Sequence, residues 1–309
     1  MNKIETAVNE LKSGKLIGLP TETVYGLAAP INNDKLINRI FELKKRPFFD
    51  PLIVHISNVA QAKPLVKNWP DICDVLAEKF WPGPLTLVLE KTLEVNNLIT
   101  SGLKTVGIRI PRCEIARNFI TALGVPVAAP SANLFKKISP TCAEHVRSVF
   151  SSDDVFVLDG GACEVGIEST IIKICDNRLE ILRPGVISSI QLSEVADRFS
   201  YKVIYSESSE VQSAGMLSEH YQPVKPLNVV CSKSLEQAKK TLNRRDTYWF
   251  HLSDKPEVAA RQLYQRMREA CEENYESCSI WIHEDYENDD LWRGIFDRLK
   301  KASTIYIRA

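Results

Sequence analysis

Three short segments of this 309-residue chain carry side chains suited to holding an anion. Thr21, Glu22, Thr23 and Tyr25 stand together between Leu19 and Leu27, Lys44 and Arg46 precede Pro47, and Ser131 and Asn133 follow the apolar run Val125 to Ala129. Two cations so close to apolar sequence need partners, because a core cannot hold them unpaired. Taken alone, Lys44 and Arg46 also suit the C-terminal dipole of a helix. Beyond them Asp50-Pro51 turns into the apolar strand 52 to 56, which carries His55, one of five histidines and equally a satisfied core residue. Arg109 interrupts the apolar strand 106 to 110, and a buried guanidinium requires a carboxylate or phosphate opposite it. Glu22, Glu168 or a ligand carboxylate could supply that partner. Ser139-Pro140-Thr141, Glu168-Ser169-Thr170 and Arg183-Pro184-Gly185 add further hydroxyls and a cation at element ends. Ordinary turn chemistry explains each one separately. So many polar strand ends in one region instead favour a shared site, since open α/β sheets place ligands at strand ends.

The usual ATP-binding signatures are missing. Gly161 and Gly166 have P-loop spacing, but Ile167-Glu168 follows where Lys-Ser/Thr is required, and no G-x-G-x-x-G opens a helix. Cys142 and His145 share a predicted helix without a second ligand pair, which disfavours zinc, and no nucleophile elbow accompanies His220 or His251. The eight cysteines form no C-x-x-C pair and read as reduced thiols. Ile4, Ala7, Val8 and Leu11 make an amphipathic start unlike a signal peptide, and no segment has the apolar length of a membrane span, so a cytoplasmic location with no membrane partner is expected. With 39 basic and 39 acidic residues the chain lacks the excess charge of a general polyanion binder, though a local basic pocket fits.

Positioning these groups falls to alternating elements. Helices are expected over 4 to 13, 34 to 45 with Asp34 as cap, 71 to 80, 114 to 123, 141 to 150 with a Thr141/Glu144 capping box, and 189 to 199. Strands are expected over 15 to 19, 52 to 56, 85 to 89, 106 to 110, 125 to 129, 155 to 158, 169 to 174 and 179 to 182, the last two joined by a hairpin turn at Asp176-Asn177. That pattern predicts a mixed α/β first domain over residues 1–200. Residues 201–226 read as a linker, Ser- and Glu-rich and closed by Pro223 and Pro226, with Tyr221 an exposed aromatic in it. Over 227–309, strands near 227, 248, 279 and 304 alternate with helices at 233 to 243, 256 to 273 and 290 to 301, the pattern of a small parallel α/β sheet.

In order along the chain stand Pro20-Thr21-Glu22-Thr23-Val24-Tyr25-Gly26-Leu27, Lys44-x-Arg46-Pro47-x-x-x-Pro51-Leu52-x-x-His55, Trp81-Pro82-Gly83-Pro84-Leu85-Thr86, Gly107-Ile108-Arg109-x-Pro111, Ala129-Pro130-Ser131-Ala132-Asn133, Ser139-Pro140-Thr141 and Glu168-Ser169-Thr170. This series resembles the Sua5/YrdC/YciO family. The Gly215…His220-Tyr221-x-Pro223 stretch and the α/β tail resemble the linker and C-terminal domain of its Sua5 members. The resemblance implies a twisted mixed sheet around a large concave cavity, followed by a Rossmann-like C-terminal domain. It implies synthesis of L-threonylcarbamoyladenylate and pyrophosphate from L-threonine, bicarbonate or CO2 and ATP with Mg²⁺. The product would pass to a downstream threonylcarbamoyl-transferase complex acting on tRNA, with room for a weak direct tRNA contact. Carried over residue by residue, Thr23, His55, Arg109 and Ser169 would surround threonine. Lys44, Arg46, Asp50, Thr105, Ala129, Ser131, Asn133, Ser139, Arg183 and Tyr221 would face the nucleotide, with Lys44 and Arg46 taking the catalytic role and Tyr221 acting as a lid.

The sequence departs from the family pattern at Cys113, Asp50, Phe135-Lys136 and Leu217-Ser218-Glu219, and Asp50 and Glu219 would bring negative charge towards a polyphosphate. Two other readings compete. An RNA-binding module of the same fold would need interleaved aromatics and basic runs, which are absent. Carbamoyl-adenylate formation for metallocentre assembly belongs to relatives with paired Cys-x-x-Cys zinc modules, also absent here.

Overall fold

A computed structural model of the chain describes residues 2–207, 212–217 and 219–309. The helices are α1 (Lys3–Lys12), α2 (Asp34–Lys44), α3 (Asp71–Phe80), α4 (Asn97–Thr100), α5 (Glu114–Leu123), α6 (Ala143–Arg147), α7 (Ser189–Ala196), α8 (Leu235–Leu242), α9 (Pro256–Glu272) and α10 (Arg293–Ala302). The strands of the first sheet are β1 (Leu16–Leu19), β2 (Gly26–Pro30), β3 (Ile53–His55), β4 (Leu85–Glu90), β5 (Thr105–Arg109), β6 (Val127–Ala128), β7 (Val155–Val157), β8 (Thr170–Cys175), β9 (Arg178–Arg183) and β10 (Lys202–Tyr205). They form one ten-stranded mixed sheet in the order β10-β9-β8-β4-β5-β3-β6-β2-β1-β7. Four more strands, β11 (Leu227–Ser232), β12 (Thr247–Phe250), β13 (Ser277–His283) and β14 (Ile305–Arg308), make an all-parallel sheet in the order β12-β13-β11-β14. Parallel strands require crossovers, and α8, α9 and α10 supply them as the alternating pattern demands.

Several elements differ from the sequence expectation. Asn33, not Asp34, caps α2, its side chain accepting from the Leu36 amide at 3.1 Å. The helix expected over 141–150 shrinks to Ala143–Arg147, and no Thr141/Glu144 capping box forms: Cys142 is the N-cap, and the Thr141 amide donates to His145 Nδ1 at 3.2 Å. The strand expected over 125–129 is only Val127–Ala128, although the Ala129 amide still donates to the Ile53 carbonyl of β3 at 3.0 Å before the chain enters the polar loop. β2 was not foreseen, since polar residues and Pro20 precede it and its own residues, Gly-Leu-Ala-Ala-Pro, are poor strand formers. Residues 202–205, expected in the linker, form the edge strand β10 against β9. The Asp176-Asn177 hairpin forms as expected between β8 and β9.

The interdomain segment packs more closely than its composition implies. His220 and Tyr221 are 5% and 1% exposed, and Ser213 is buried too. Gln222 donates its amide to the Lys136 carbonyl at 2.7 Å, and the His220 amide bonds Lys301 at 3.1 Å. Tyr221, expected to be exposed, is therefore a core residue of the C-terminal cluster, which also takes in Val24, Ile138 and Ile167 from the first domain. Residues 208–211 and 218 of that segment lie outside the described residues.

Candidate active site

One end of the large sheet gathers the polar groups. In the register of the adjacent parallel strands β3 and β5, His55 lies opposite Arg109. β4 and β8 start together with Leu85 opposite Thr170, which sets Gly83 and Ser169 at that same end. A register shift between Ile171 and Ile172 pairs Ile171 with Arg183 and aims the guanidinium back at Ser169. Together these side chains enclose a cavity of about 50 Å³. Thr23, His55, Arg109, Ser169, Arg46, Ala129, Ser131, Arg183 and Tyr221 all line it, joined by Glu168, Ala214, Gly215 and His220. Lys44, Asp50, Asn133 and Ser139 stand behind that lining, and Thr105 faces a separate small cavity with Gln212 and Ser213.

Arg109 is buried and its partner is the protein carboxylate among those considered: Nη2 lies 2.7 Å from Glu22 Oε1. Nη1 donates to Thr23 Oγ1 at 2.9 Å and Nε to the Gly83 carbonyl at 3.0 Å. Glu22 also accepts from the Arg112 amide at 2.9 Å. Burial, and then the Arg109 charge, lower the His55 pKa to about 3, so the imidazole is neutral, and its Nδ1 has no hydrogen-bond partner. Ser169 Oγ accepts from Arg183 Nη2 at 3.1 Å and shares a 2.8 Å hydrogen bond with Thr86.

On the side expected to face phosphates, the cations are already engaged. Lys44 Nζ donates to the carbonyls of Ser131 and Asn133, each at 2.5 Å, and burial lowers its pKa well below the usual lysine value. Lys44 therefore holds the Ser131–Asn133 loop in shape. Arg46 lies 2.9 Å from the Asp50 carboxylate and donates to the carbonyls of Asp50 and Pro51. Asp50 thus brings no bare negative charge, and Glu219 points outward to pair with Lys136 at 2.7 Å. Asn133 Oδ1 and Tyr221 Oη are buried without hydrogen-bond partners, and Tyr221 lines the cavity.

The C-terminal domain backs the wall at Glu168. Arg298 is fully buried, with Nε 3.0 Å from Glu168 Oε2 and Nη2 donating to the Glu168 carbonyl at 3.2 Å. Tyr264 Oη donates to Glu168 Oε2 at 2.9 Å and Ser139 Oγ to Oε1 at 2.5 Å. Burial alone would raise the Glu168 pKa, but the Arg298 and Arg183 charges and the Ser139 hydrogen bond outweigh it and hold it at about 2. An aromatic row runs Phe135–His220–Tyr221–Tyr264, with centroid separations of 6.3, 4.0 and 5.8 Å, so Phe135 is a partner of the interdomain segment. Gly215, at φ +79°, admits the Tyr221 hydroxyl: a Cβ there would lie 2.8 Å from Tyr221 Oη and 3.0 Å from Arg183 Nη1.

Arg298, Tyr264 and His220 did not come out of the sequence as site residues. The signal for Arg298 was present: like Arg109, it interrupts an apolar stripe, here Ile295, Leu299 and Ala302 of α10. Among the described residues no three His, Cys, Asp or Glu side chains cluster as a metal site, and no helix is long and apolar enough to cross a membrane.

A mixed α/β domain that gathers arginines and hydroxyls around a cavity without a P-loop, backed by a small parallel α/β domain, defines the class. The chain belongs to the Sua5/YrdC/YciO family: its model, described as "Telomere recombination", matches residues 9–185, and a model described as "Threonylcarbamoyl-AMP synthase, C-terminal domain" matches residues 187–304. A Pyrococcus abyssi protein named threonylcarbamoyl-AMP synthase is 36% identical over 322 residues, covering 97% of this chain and 94% of that one. A Bacillus subtilis protein of the same name is 39% identical over 237 residues, covering 76% and 68%. The crystal structure described as P. abyssi Sua5 complexed with L-threonine superposes with a TM-score of 0.89 at 32% identity, covering 99% of this chain and 96% of that one.

Proposed function

We propose that this cavity makes threonylcarbamoyl-AMP from L-threonine, bicarbonate or CO2 and MgATP, releasing pyrophosphate. The observation that carries the reading is the meeting of the His55–Arg109 pair with Ser169, Arg183, Arg46 and Ser131 around one cavity. Threonine's carboxylate sits against Arg109 beside Thr23, its small polar side chain near His55 and Ser169. Its amine nitrogen bonds to the carbon of CO2 and gives up a proton. An oxygen of the resulting carbamate then bonds to the α-phosphorus as the bond to the pyrophosphate oxygen breaks. No side-chain nucleophile is needed, so positioning and charge neutralisation carry the catalysis. Arg46, Arg183 and Ser131 face the phosphates, with Lys44, Asp50 and Asn133 holding their loops behind them. Mg²⁺ enters with ATP and offsets phosphate charge.

Ligand sites usually occupy on the order of 300–1,000 Å³. The cavity here is about 50 Å³, and Ala214, Gly215, His220 and Tyr221 of the interdomain segment close one side of it. Substrate entry therefore requires that segment to withdraw, and its return excludes water from the labile carbamate and mixed anhydride. The product passes to a threonylcarbamoyl-transferase complex that forms N6-threonylcarbamoyladenosine at position 37 of tRNAs reading ANN codons. A cytoplasmic setting, where ATP and tRNA meet, suits the eight unpaired cysteines. Pyrophosphate release that needs threonine, bicarbonate and MgATP together, with the adenylate identified by mass spectrometry, tests the reading. Equal turnover without threonine defeats it, as does tRNA binding with no turnover.

A further inference from the structure

Given the reaction proposed above, we propose that Lys301, which does not line the cavity, is a positioning residue for it: Lys301 holds the interdomain segment closed, with His220 and Tyr221 over the substrates. Lys301 lies in the last turn of α10, its side chain 15% exposed. Its ammonium donates to the Gly215 carbonyl at 2.8 Å, and its own carbonyl accepts from the His220 amide at 3.1 Å. One residue therefore grips both ends of the stretch 215–220. Gly215, His220 and Tyr221 all line the cavity, and a Cβ on Gly215 would lie only 2.8 Å from the Tyr221 hydroxyl. Fixing Gly215 thus fixes the place of the tyrosine.

Charged neighbours fix the ammonium in place. Asp297, one turn earlier on α10, sets Oδ1 2.8 Å from the Lys301 ammonium and Oδ2 3.1 Å from Arg298 Nη1. Arg298 in turn lies 3.0 Å from Glu168, which lines the cavity. Charged contacts therefore run without a break from the Gly215 carbonyl to the wall. From the first domain, Arg183 Nη1 donates to the Ala214 carbonyl at 3.1 Å. Two successive carbonyls of the segment are thus taken by cations from the two different domains. Bonds from charged donors are the stronger kind, so losing the Lys301 ammonium should let the segment open more often. Each opening admits water to the mixed anhydride. The water's hydroxyl bonds to phosphorus as the bond to the carbamate oxygen breaks, and its proton goes to the departing carbamate. That carbamate falls apart to threonine and CO2. A loosened segment therefore diverts product to AMP.

Hydrogen exchange and product analysis on the full-length protein test this together. In Lys301→Met, the amides of His220, Tyr221 and Gln222 should exchange about tenfold faster than in the wild type, while those of β4 and β8 keep their rates. With threonine, bicarbonate and MgATP, samples quenched at equal pyrophosphate release should hold several-fold more AMP per threonylcarbamoyl-AMP. Lys301→Arg keeps a cationic donor and should regain most of the protection and the wild-type product ratio. A residue that only lent stability would leave that ratio unmoved. Should Lys301→Met fail to fold, Asp297→Asn, which loosens the anchor of the ammonium, carries the same comparison in smaller degree. Unchanged exchange at residues 220–222, faster exchange spread evenly through the chain, or a product ratio equal to that of the wild type overturns the proposal. A wild type that releases no pyrophosphate with threonine defeats the proposed reaction instead, and the exchange rates alone then decide whether Lys301 holds the segment.

Discussion

Replacing Arg298 with Met tests whether the C-terminal domain holds the cavity wall in place or merely leans on it. The guanidinium is fully buried and makes two bonds to Glu168, one to the carboxylate at 3.0 Å and one to its carbonyl at 3.2 Å, besides bonds to Pro184 and Gly294. Methionine fills much of the volume but takes the cation from the Glu168 carboxylate, leaving the neutral side-chain donors Tyr264 and Ser139 among the described residues. Removing one member of a buried ion pair typically costs about 3–5 kcal/mol, because the remaining charge keeps its desolvation penalty. Urea unfolding, followed by both tryptophan fluorescence and far-UV circular dichroism to check for a single transition, should show a loss in that range. Adding Glu168→Gln should return part of it, with a coupling of about 0.5–3 kcal/mol between the two sites. Threonine-dependent pyrophosphate release should fall in the single variant as well, since Ser169 follows Glu168 directly in the wall. A loss under about 1 kcal/mol, or two substitutions that simply add, would refute the reasoning.

Arg109→Ala should weaken threonine binding by about 2–5 kcal/mol while ATP binding changes far less, measured by calorimetry. Because it also strips Glu22, the Arg109→Ala/Glu22→Gln double variant should regain stability without regaining threonine affinity; equal loss of ATP affinity would move Arg109 to the phosphate side. Acid should destabilise the fold in two windows. His55 and His220 have folded pKa values near 3, against 6.5 ordinarily, so their stabilisation is complete above pH 6.5 and declines as pH falls towards 3, by up to about 1.4 kcal/mol per unit for each group. Glu168, held at about 2, adds stability above pH 4.5 that is lost between 4.5 and 2. A urea midpoint that stays flat from pH 7 to pH 5 would contradict the histidine part. Gly215→Ala should displace Tyr221, seen as faster proteolysis of the interdomain segment and a raised KM for ATP, whereas unchanged proteolysis would show that the contact is not needed.

The sheet was legible wherever apolar strands stood between turn residues, as with β8, β9 and the hairpin at Asp176-Asn177. It was illegible at β2, whose glycine, alanines and proline have no strand signature and which is held by neighbours on both sides. Arg109 announced itself because a cation in an apolar strand demands a partner, although spacing could not choose between Glu22, Glu168 and a ligand. The structure chose Glu22 for Arg109 and Arg298 for Glu168, pairings between residues far apart in sequence that no local pattern encodes. Tyr221 misled for a related reason. Its neighbours are polar, so the segment reads as solvated, yet Tyr264 and Arg298 come from elsewhere in the chain to bury it, with the adjacent His220 packed against its ring.

At Gly294 the first turn of α10 rests on the turn that follows β9, backbone against backbone: a Cβ on Gly294 would lie 2.8 Å from the Gly185 carbonyl oxygen and 3.0 Å from its Cα. Interfaces made by interleaved side chains can slip, each side chain hopping to a new rotamer as neighbours slide past. Two main chains in contact have no such freedom. Shear across this seam therefore meets main chain on both sides, whereas lifting apart, the direction of opening, does not. Opening along that direction would draw Tyr264 and Arg298 away from Glu168 together, so the support behind the cavity wall would leave as one piece.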